Sequence, residues 1–501
     1  APAGAPAGGG GQRKGASSGG GGAPRGREMG AGLKRGAKER HRGGRQGVAT
    51  GAGEGVQPRS SPTAGMRDVP RAELLAIVVV YFVQGALGLA RLALSFFLKD
   101  DLGLSPGDLS FVTSTMMLPW MIKPVYGFIS DSMPLFGYRR RSYLALSGLL
   151  GAGAWGALGL LPLDSARPVC ALLVVSSVGT ACADVVIDSI VVERSRDSTA
   201  LAGSLQSTCW IAASSGGIAA ALLSGRLVEA VGPHNVFLLT AIFPLVAMGT
   251  SFLIEERQLA ASSTSRSGLA GQLRQQAGEL WGAVRSPAIF WPAVFIFCWN
   301  ATPYPEGAMF FFQTERLGLS ADFLGNVALV AAVAKLCGVT LYNTILKDKP
   351  LDKVFLWGSL LATLLGLTQL LLVTGANRTL GIDDHLFVLG DSALLAAVGE
   401  VCWMPVLVYA AQVCPENIEA TLFATLMSIL NSGGFTGRFL GAKLTDALGV
   451  TSQDFTHLPL LVLICVVLTP LPLVFLPTVR KSLEGKAKRD EEEAVDDGHE
   501  A

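Results

Sequence analysis

Phe82–Ser105 reads FVQGALGLARLALSFFLKDDLGLS, an apolar helix with one cation, Arg91, near its middle and a polar close at FFLKDDLGLS. The second half of the chain repeats that close as FFFQTERLGLS at Phe310–Ser320. A shift of 215 residues lays Phe96 on Phe311, Leu102 on Leu317, Gly103 on Gly318 and Ser105 on Ser320. A second block, Leu205–Gly232, falls on Leu422–Gly449 at a shift of 217, with Ser215-Gly216-Gly217 on Ser432-Gly433-Gly434, Glu229 on Asp446 and Gly232 on Gly449. Chance similarity between Gly/Ala-rich helices does not produce two blocks that agree so closely in offset, so the halves are repeats. The first shift also lays Arg91 on Glu306, which sets opposite charges at equivalent depths of two related helices.

Those helices belong in lipid. Half of the 501 residues are hydrophobic, only 16% are charged, and mean hydropathy is +0.44. The apolar blocks run to about 20 residues, enough to cross ~30 Å of hydrocarbon. Twelve such segments are predicted, over 72–98, 107–130, 143–163, 168–193, 200–228, 234–254, 287–313, 320–346, 353–374, 386–412, 419–448 and 457–477. The polar, basic stretch after the sixth divides them into a six-helix half at 70–254, a linker at 255–286 and a second six-helix half at 287–478. The fold class is therefore an all-α membrane protein of twelve transmembrane helices in two repeated halves. Duplicated halves with a site at their midplane interface are the architecture of a large class of carriers.

Charge bias orients the bundle. Loops after even-numbered helices hold twelve Lys/Arg and loops after odd-numbered helices hold six, which places both tails and the linker on the cytoplasmic or stromal side. Residues 1–69 form a basic tail rich in Gly, Ala and Ser; up to residue 66 it has eleven Lys/Arg against Glu28, Glu39 and Glu54. Such a composition cannot offset its conformational entropy by burial and is expected to be disordered, as an organelle transit peptide is. The tail at 479–501 is charged and expected to be disordered as well.

The remaining composition excludes other classes. A net charge of +1 calls for no nucleic acid or other polyanion. None of the eight cysteines forms a CxxC pair, so neither a disulfide framework nor a zinc site is indicated, and they read as small packing residues. There is no nucleophile–base pair, and histidines touch the spanning segments only at their edges, His234 at the start of the sixth and His457 at the start of the last. An enzyme, a metal and a cofactor are all unexpected.

The loop after the second helix reads Gly127-FIS-Asp131-SMPLF-Gly137-Tyr138-Arg139-Arg140-Arg141. A Gly, an Asp four residues on, then a Gly and an arginine cluster resemble the loop signature of the major facilitator superfamily, here with Ser132–Phe136 inserted. The physical sense is a latch. The glycine lets helices approach, Asp131 accepts from a neighbouring helix N-terminus, and the arginines pair with acids such as Glu193, holding one gate shut.

Longer runs narrow the resemblance. RLALSFFLKDDLGLSP (Arg91–Pro106), LPWMIKPVYGFISDSMPLFGYRRRSY (Leu118–Tyr143), ADVVIDSIVVERSR (Ala183–Arg196) and EATLFATLMSI (Glu419–Ile429) look like the folate–biopterin transporter family, over about residues 70–478. The resemblance implies carriage of folates or related pterins by proton-coupled symport, with relatives in the plastid envelope, which agrees with the basic tail. Glu306 stands where the family pattern implies an aspartate in the ATP…AMFFF run.

Ionisable residues inside spanning segments are costly unless paired or facing a cavity, so they are the site candidates. Arg91 shares a predicted face with Gln84, Gly88 and Ser95; Asp184 and Asp188 are i,i+4; Glu306 lies beside Pro303 and Pro305; Lys123 precedes Pro124, one turn after Trp120. Arg91 and Lys123 suit the carboxylates of a folate, and an Asp or Glu suits the donor edge of its pterin. Trp120, Trp210 or Trp299 suit its flat rings. Glu306, Asp184 and Asp188 are the candidate proton carriers. Two alternatives stay open: Arg91 and Glu306 pair with each other across the halves, or Asp188 and Lys123 pair without touching substrate. Glu400 and Lys335 are possible partners, and Asp391 lies close to a predicted helix end. The expected partners are a small-molecule substrate, protons and the lipid bilayer around a monomer. A carrier of another anionic or aromatic metabolite, or a non-transporting receptor on the same fold, fits the same residues.

Overall fold

The computed structural model describes residues 69–195, 199–256, 285–347, 349–413 and 419–481, with isolated positions in the central linker. The N-terminal tail up to residue 68, with the transit-peptide reading, and the C-terminal tail from residue 482 lie outside the described residues; 479–481, expected to be disordered, instead continue the last helix with Val479 buried. Among these residues there are helices and no strands; one isolated bridge joins Leu135 and Tyr138.

Eight stretches are long and apolar enough to span a bilayer alone. They include α1 (Arg71–Asp101), α3 (Arg141–Leu160), α4 (Ala166–Ser195), α8 (Ala321–Leu346), α9 (Leu351–Thr374), α10 (Asp384–Val413) and α12 (Leu458–Lys481). The continuous run Thr199–Thr250 is broken at Gly232, where φ is 78° and Pro233 follows, into α5 (199–231) and α6 (233–250). Three further segments escape a criterion of length and hydropathy for physical reasons. α2 (106–132) is interrupted by 3₁₀ turns at Thr115–Met117 and Pro119–Ile122. α7 (287–316) leaves the helix at 301–305, and α11 (Glu419–Ala447) carries Arg438, Lys443 and Asp446. Among the described residues this gives twelve spanning segments on the predicted pattern.

The repeat is visible in backbone geometry. Phe97–Asp101 and Phe312–Arg316 are both π-turns, each followed by a left-handed glycine, Gly103 (φ 60°) and Gly318 (φ 66°). Each π-turn is followed by a serine cap: Ser105 Oγ accepts from Asp108 N and Ser320 Oγ from Phe323 N, both at 3.1 Å. Gly232 and Gly449, paired by the second sequence block, are both left-handed. Within the first half α1 packs on α5, and α3 on α4 and α6; the halves meet where α2 faces α7 and α11, and where α5 faces α8.

These seams need glycine at particular points. A Cβ at Gly85 would lie 1.9 Å from Ala213 O, and one at Gly216 would lie 2.1 Å from Phe82 O. On α11, Gly433, Gly437 and Gly441 recur every four residues, and added Cβ atoms would meet the carbonyls of Phe297, Thr302 and Tyr304 at 2.6, 2.5 and 2.1 Å. This is small-xxx-small packing, in which backbones touch because side chains are absent.

Gly441→Val therefore forces α11 away from the broken part of α7. A destabilisation of at least about 1–3 kcal/mol is expected from overpacking against backbone. A thermal unfolding midpoint in detergent lower than wild type, with Gly153→Val (no atom within 4 Å of its added Cβ) near wild type, is the result to look for.

Candidate functional site

The break in α7 and the glycine stripe of α11 build the site together. Ala301–Pro305 lie outside helix, and the Asn300 amide donates to Leu430 O at 2.9 Å, fastening the break to α11. Close approach brings Arg438 against Glu306 in an ion pair. The pair faces a cavity of about 730 Å³ whose lining includes Glu306, Lys335 and Arg438, three amides (Asn300, Gln369, Asn431), and Tyr304 and Trp403. Its lining draws mostly on the second half, with Met117 of α2 contributed by the first. Two cations against one carboxylate leave this lining with a surplus positive charge, and the amides offer both donors and acceptors. Glu400 of α10 lies within electrostatic reach of Lys335.

A second cluster lies in the first half. Lys123, at the start of the α-helical part of α2, is ion-paired to Asp184, and their side chains are 16% and 11% exposed. Asp188, one turn along α4, accepts from the Tyr81 hydroxyl of α1. The Lys123 ammonium sits 5.2 Å from the Trp120 ring, whose Nε1 donates to Ser177 Oγ at 3.1 Å. The Trp120 carbonyl accepts from Asn431 Nδ2 at 3.3 Å, which ties this cluster across the halves to a residue of the cavity wall.

The structure brings some predicted partners together and separates others. Lys123 pairs with Asp184 rather than with Asp188. Glu306 pairs with Arg438, not Arg91; Arg91 is exposed on α1 and has no carboxylate at ion-pairing distance among the described residues. The predicted stripe of Gln84, Gly88, Arg91 and Ser95 is not one face. α1 loosens at Leu87–Gly88, where Gly88 N and Arg91 N bond three residues back, so the residues before and after change register. Gln84 instead borders a small apolar cavity with Ser147 and Thr180, its Nε2 buried and unpartnered. Of the tryptophans, Trp299 packs on Phe295 and Phe355, and Trp210 is 55% exposed; Trp403 lines the cavity. Asp391 is not simply solvated, for it accepts from the Thr368 hydroxyl at 2.5 Å. Arg438 carries the same signal as Arg91, a lone arginine deep in a spanning segment, and that signal was sufficient to find it. Nothing local marked Asn300, Asn431 or Gln369.

The latch residues assemble inside the first half. Arg140 bridges Asp131 at 2.6 Å and Glu193 at 2.8 Å, and its guanidinium is 12% exposed. Burial by itself would lower the pKa of Arg140; the hydrogen bond to Glu193 and the Asp131 charge outweigh it and raise it. The backbone N–H groups of Arg139, Arg140 and Arg141 all donate to the Glu256 carboxylate, capping α3 with an anion. Arg141 lies over the Phe252 ring at 4.8 Å, and Arg194 forks onto Glu73 at 2.9 and 2.7 Å. A Cβ at Gly127 would make only ordinary contact with Val185 at 3.4 Å, so close helix approach does not demand glycine there.

Among the described residues, ion pairs that bridge the halves lie at the opposite end of the bundle. They join Lys99 to Glu315 at 2.5 Å and Arg226 to Asp322 at 3.4 Å. Glu229 adds a hydrogen bond from Asp322 N at 2.7 Å, and Phe96 meets Phe310 edge-on.

Twelve helices in two repeated halves around an ionic central cavity define a carrier-type bundle of the major facilitator kind. Solved structures agree on the fold. A POT family transporter in complex with 5-aminolevulinic acid superposes with TM-score 0.62 at 16% identity, covering 83% of this chain and 98% of that one. A D-xylose-proton symporter gives 0.59 at 15% identity, covering 80% and 97%. The family model described as BT1 family matches residues 84–496, and the chain belongs to that family. It is 49% identical to a folate-biopterin transporter of Synechocystis sp. over 82% of each chain. A probable folate-biopterin transporter 4 of Arabidopsis thaliana is 32% identical over 83% of this chain and 96% of that one. Folate transporter 2 of Plasmodium falciparum is 30% identical over 77% and 84%.

Removing Lys123 leaves two carboxylates without their cation in an enclosed site, which costs about 3–5 kcal/mol. Lys123→Met is expected to lower the unfolding midpoint sharply, and Lys123→Met with Asp184→Asn to regain much of it. A double variant no more stable than the single would show that the pair is not the source of the loss.

Proposed function

We propose that this protein is a secondary carrier of folates and related pterins, working by alternating access and coupled to protons. The observation that carries the reading is the Glu306–Arg438 pair facing a cavity with a surplus cation, Lys335. A folate is anionic at its glutamate end and rich in donors at its pterin edge. Arg438 and Lys335 suit the first, as a guanidinium fork grips a carboxylate through two parallel bonds. Glu306 and the amides of Asn300, Gln369 and Asn431 suit the second, and Trp403 offers a flat face for a ring. The volume falls within the range typical of small-molecule sites, roughly 300–1,000 Å³.

Alternating access draws support from the one-sided seam. The Lys99–Glu315 and Arg226–Asp322 pairs close the end away from the tails, and both would have to part for that end to open. The Arg140 network ties α2, α3 and α4 into one body, so its role would be to keep the first half rigid while the halves rock. Arg91 remains a proposal for substrate contact in a form other than this one. The plastid inner envelope is the proposed location, on the basic N-terminal tail and the plant and cyanobacterial relatives. A carrier of a different anionic aromatic metabolite is the competing reading, because the same cations would hold it.

Radiolabelled folate uptake by a folate-transport-deficient host expressing the chain, with and without a pH gradient, tests the proposal. Uptake that saturates and is competed by unlabelled pterins is expected; binding without time-dependent accumulation would identify a receptor instead. Arg438→Ala should cut uptake at least about tenfold, the equivalent of one charge-assisted hydrogen bond. Separately, Lys99→Glu and Glu315→Lys singly should lower the uptake rate, and the double exchange should restore it.

A further inference from the structure

The charge count of the two ionic clusters differs. The cavity lining holds two cations, Arg438 and Lys335, against the single carboxylate Glu306. In the first half Asp184 and Asp188 share a single cation, Lys123. With every group in its ordinary state that cluster holds one negative charge in excess, enclosed between α1, α2 and α4. An uncompensated charge costs several kcal/mol when it is sealed from water, as it must be each time a carrier occludes. A proton on one carboxylate removes the excess.

We infer that Asp188 is the proton-binding group, with Tyr81 as its positioning residue and Asp184 holding Lys123. The inference rests on the carrier reading above and assigns its coupling site. Asp184 has the lysine as direct partner, whereas Asp188 has the Tyr81 hydroxyl. A hydroxyl can donate to a carboxylate and accept from a carboxylic acid, so Tyr81 serves Asp188 in both states, which a lysine cannot. The titratable groups facing Asp188 are Tyr81 from α1, Lys123 from α2 and Asp184 on its own helix; Cys209 of α5 lies against Tyr81. None of the others supplies a second cation.

The cluster also has a route to the cavity. Lys123 rests on the Trp120 ring, and the Trp120 carbonyl is held by Asn431, a cavity residue of the opposite half. Protonating Asp188 leaves Lys123 wholly to Asp184 and resets the ammonium beside Trp120. A proton bound at Asp188 and a substrate bound at Asn431 then change each other's affinity, by the reciprocity of linkage.

Proteoliposomes with the membrane potential clamped at zero read this directly through the steady-state ratio of labelled folate inside to outside. That ratio does not depend on how much carrier is active. With one proton per cycle, a gradient of one pH unit should hold about tenfold accumulation in wild type, since one unit is worth 1.36 kcal/mol. Asp188→Asn should fall to a ratio near one at every gradient, while Asp391→Asn, whose carboxylate is held by Thr368, should keep the wild-type ratio. An Asp188→Asn protein that accumulates like wild type, or an Asp391→Asn protein that loses the ratio, overturns the assignment.

Infrared difference spectra of the purified full-length protein over a pH titration, without substrate, provide the independent arm. A protonated-carboxyl band that titrates in wild type and vanishes in Asp188→Asn supports the assignment, and a band unchanged by the substitution overturns it. Wild type that transports no folate yet shows the Asp188 band would refute the substrate and leave the proton site standing. If Asp188→Asn fails to fold, Tyr81→Phe serves in its place. It removes a donor that favours the charged carboxylate, so proton-driven accumulation should extend to more alkaline pH. An unmoved pH profile counts against the assignment.

Discussion

Charge between apolar helices must have a partner or a water-filled space, and in this protein the partnering depends on how closely two helices can approach. Arg438 reaches Glu306 because α11 lays its backbone on that of α7, and it can do so because Gly433, Gly437 and Gly441 present no side chains. The α7 helix accepts this because it is already broken at 301–305, where Pro303 and Pro305 supply no N–H. Backbone groups at such a break need partners, and Gly307 N at the restart of α7 finds one in Ser110 Oγ of α2 at 3.1 Å, while the Asn300 amide fastens the break to α11 through Leu430 O. Breaking one helix, thinning another and placing two charges are thus a single construction.

The duplication explains how the bundle closes at one end. The π-turns at Phe97–Asp101 and Phe312–Arg316 occupy equivalent places in the two repeats, so each swings its last turn toward the interface. Lys99 and Glu315 meet there, and Phe96 meets Phe310, from positions that the repeat makes near-equivalent. A partly exposed pair of this kind contributes little by itself, about 0–1 kcal/mol. That weakness suits a seam that, on the proposed mechanism, parts on every cycle, whereas a strongly buried bridge would hold the bundle in one form.

Most of the fold was legible in the sequence, because spanning length and the internal repeat are one-dimensional signals. Both survive in the backbone down to the left-handed Gly103, Gly318, Gly232 and Gly449. The site was legible only in part. Lone charges in apolar runs marked Lys123, Asp184, Asp188 and Glu306, and each sits in an ionic or hydrogen-bonded cluster. What failed was partnership. The repeat lays Arg91 on Glu306 and leaves their pairing open, but pseudo-symmetry equates positions and does not bring them into contact. Gln84 was assigned to the Arg91 face on a uniform 3.6-residue period, and the loosened turn at Leu87–Gly88 breaks that period. The amides of the cavity wall carry no signal at all, since Asn and Gln in a Gly-rich helix look like ordinary packing until their neighbours are known.

The two ionic clusters divide the physical work of a carrier. Glu306 and Arg438 neutralise each other at the cavity wall, so on the proposed reading a substrate carboxylate competes with Glu306 for the guanidinium. A substrate that brings only an acid would strand Glu306 without a cation; one that brings an acid and a pair of N–H donors compensates both partners at once. Discrimination then comes from the cost of leaving a buried group unsatisfied, which exceeds the gain from making one more bond. The Asp184–Lys123–Asp188 cluster works on the opposite logic. With both carboxylates ionised it is one charge out of balance, and on the proposed reading a proton is the ligand that balances it. A site that is already paired selects what it will exchange partners with, and a site that is one charge short selects what will complete it. The Trp120–Asn431 hydrogen bond is where the two meet.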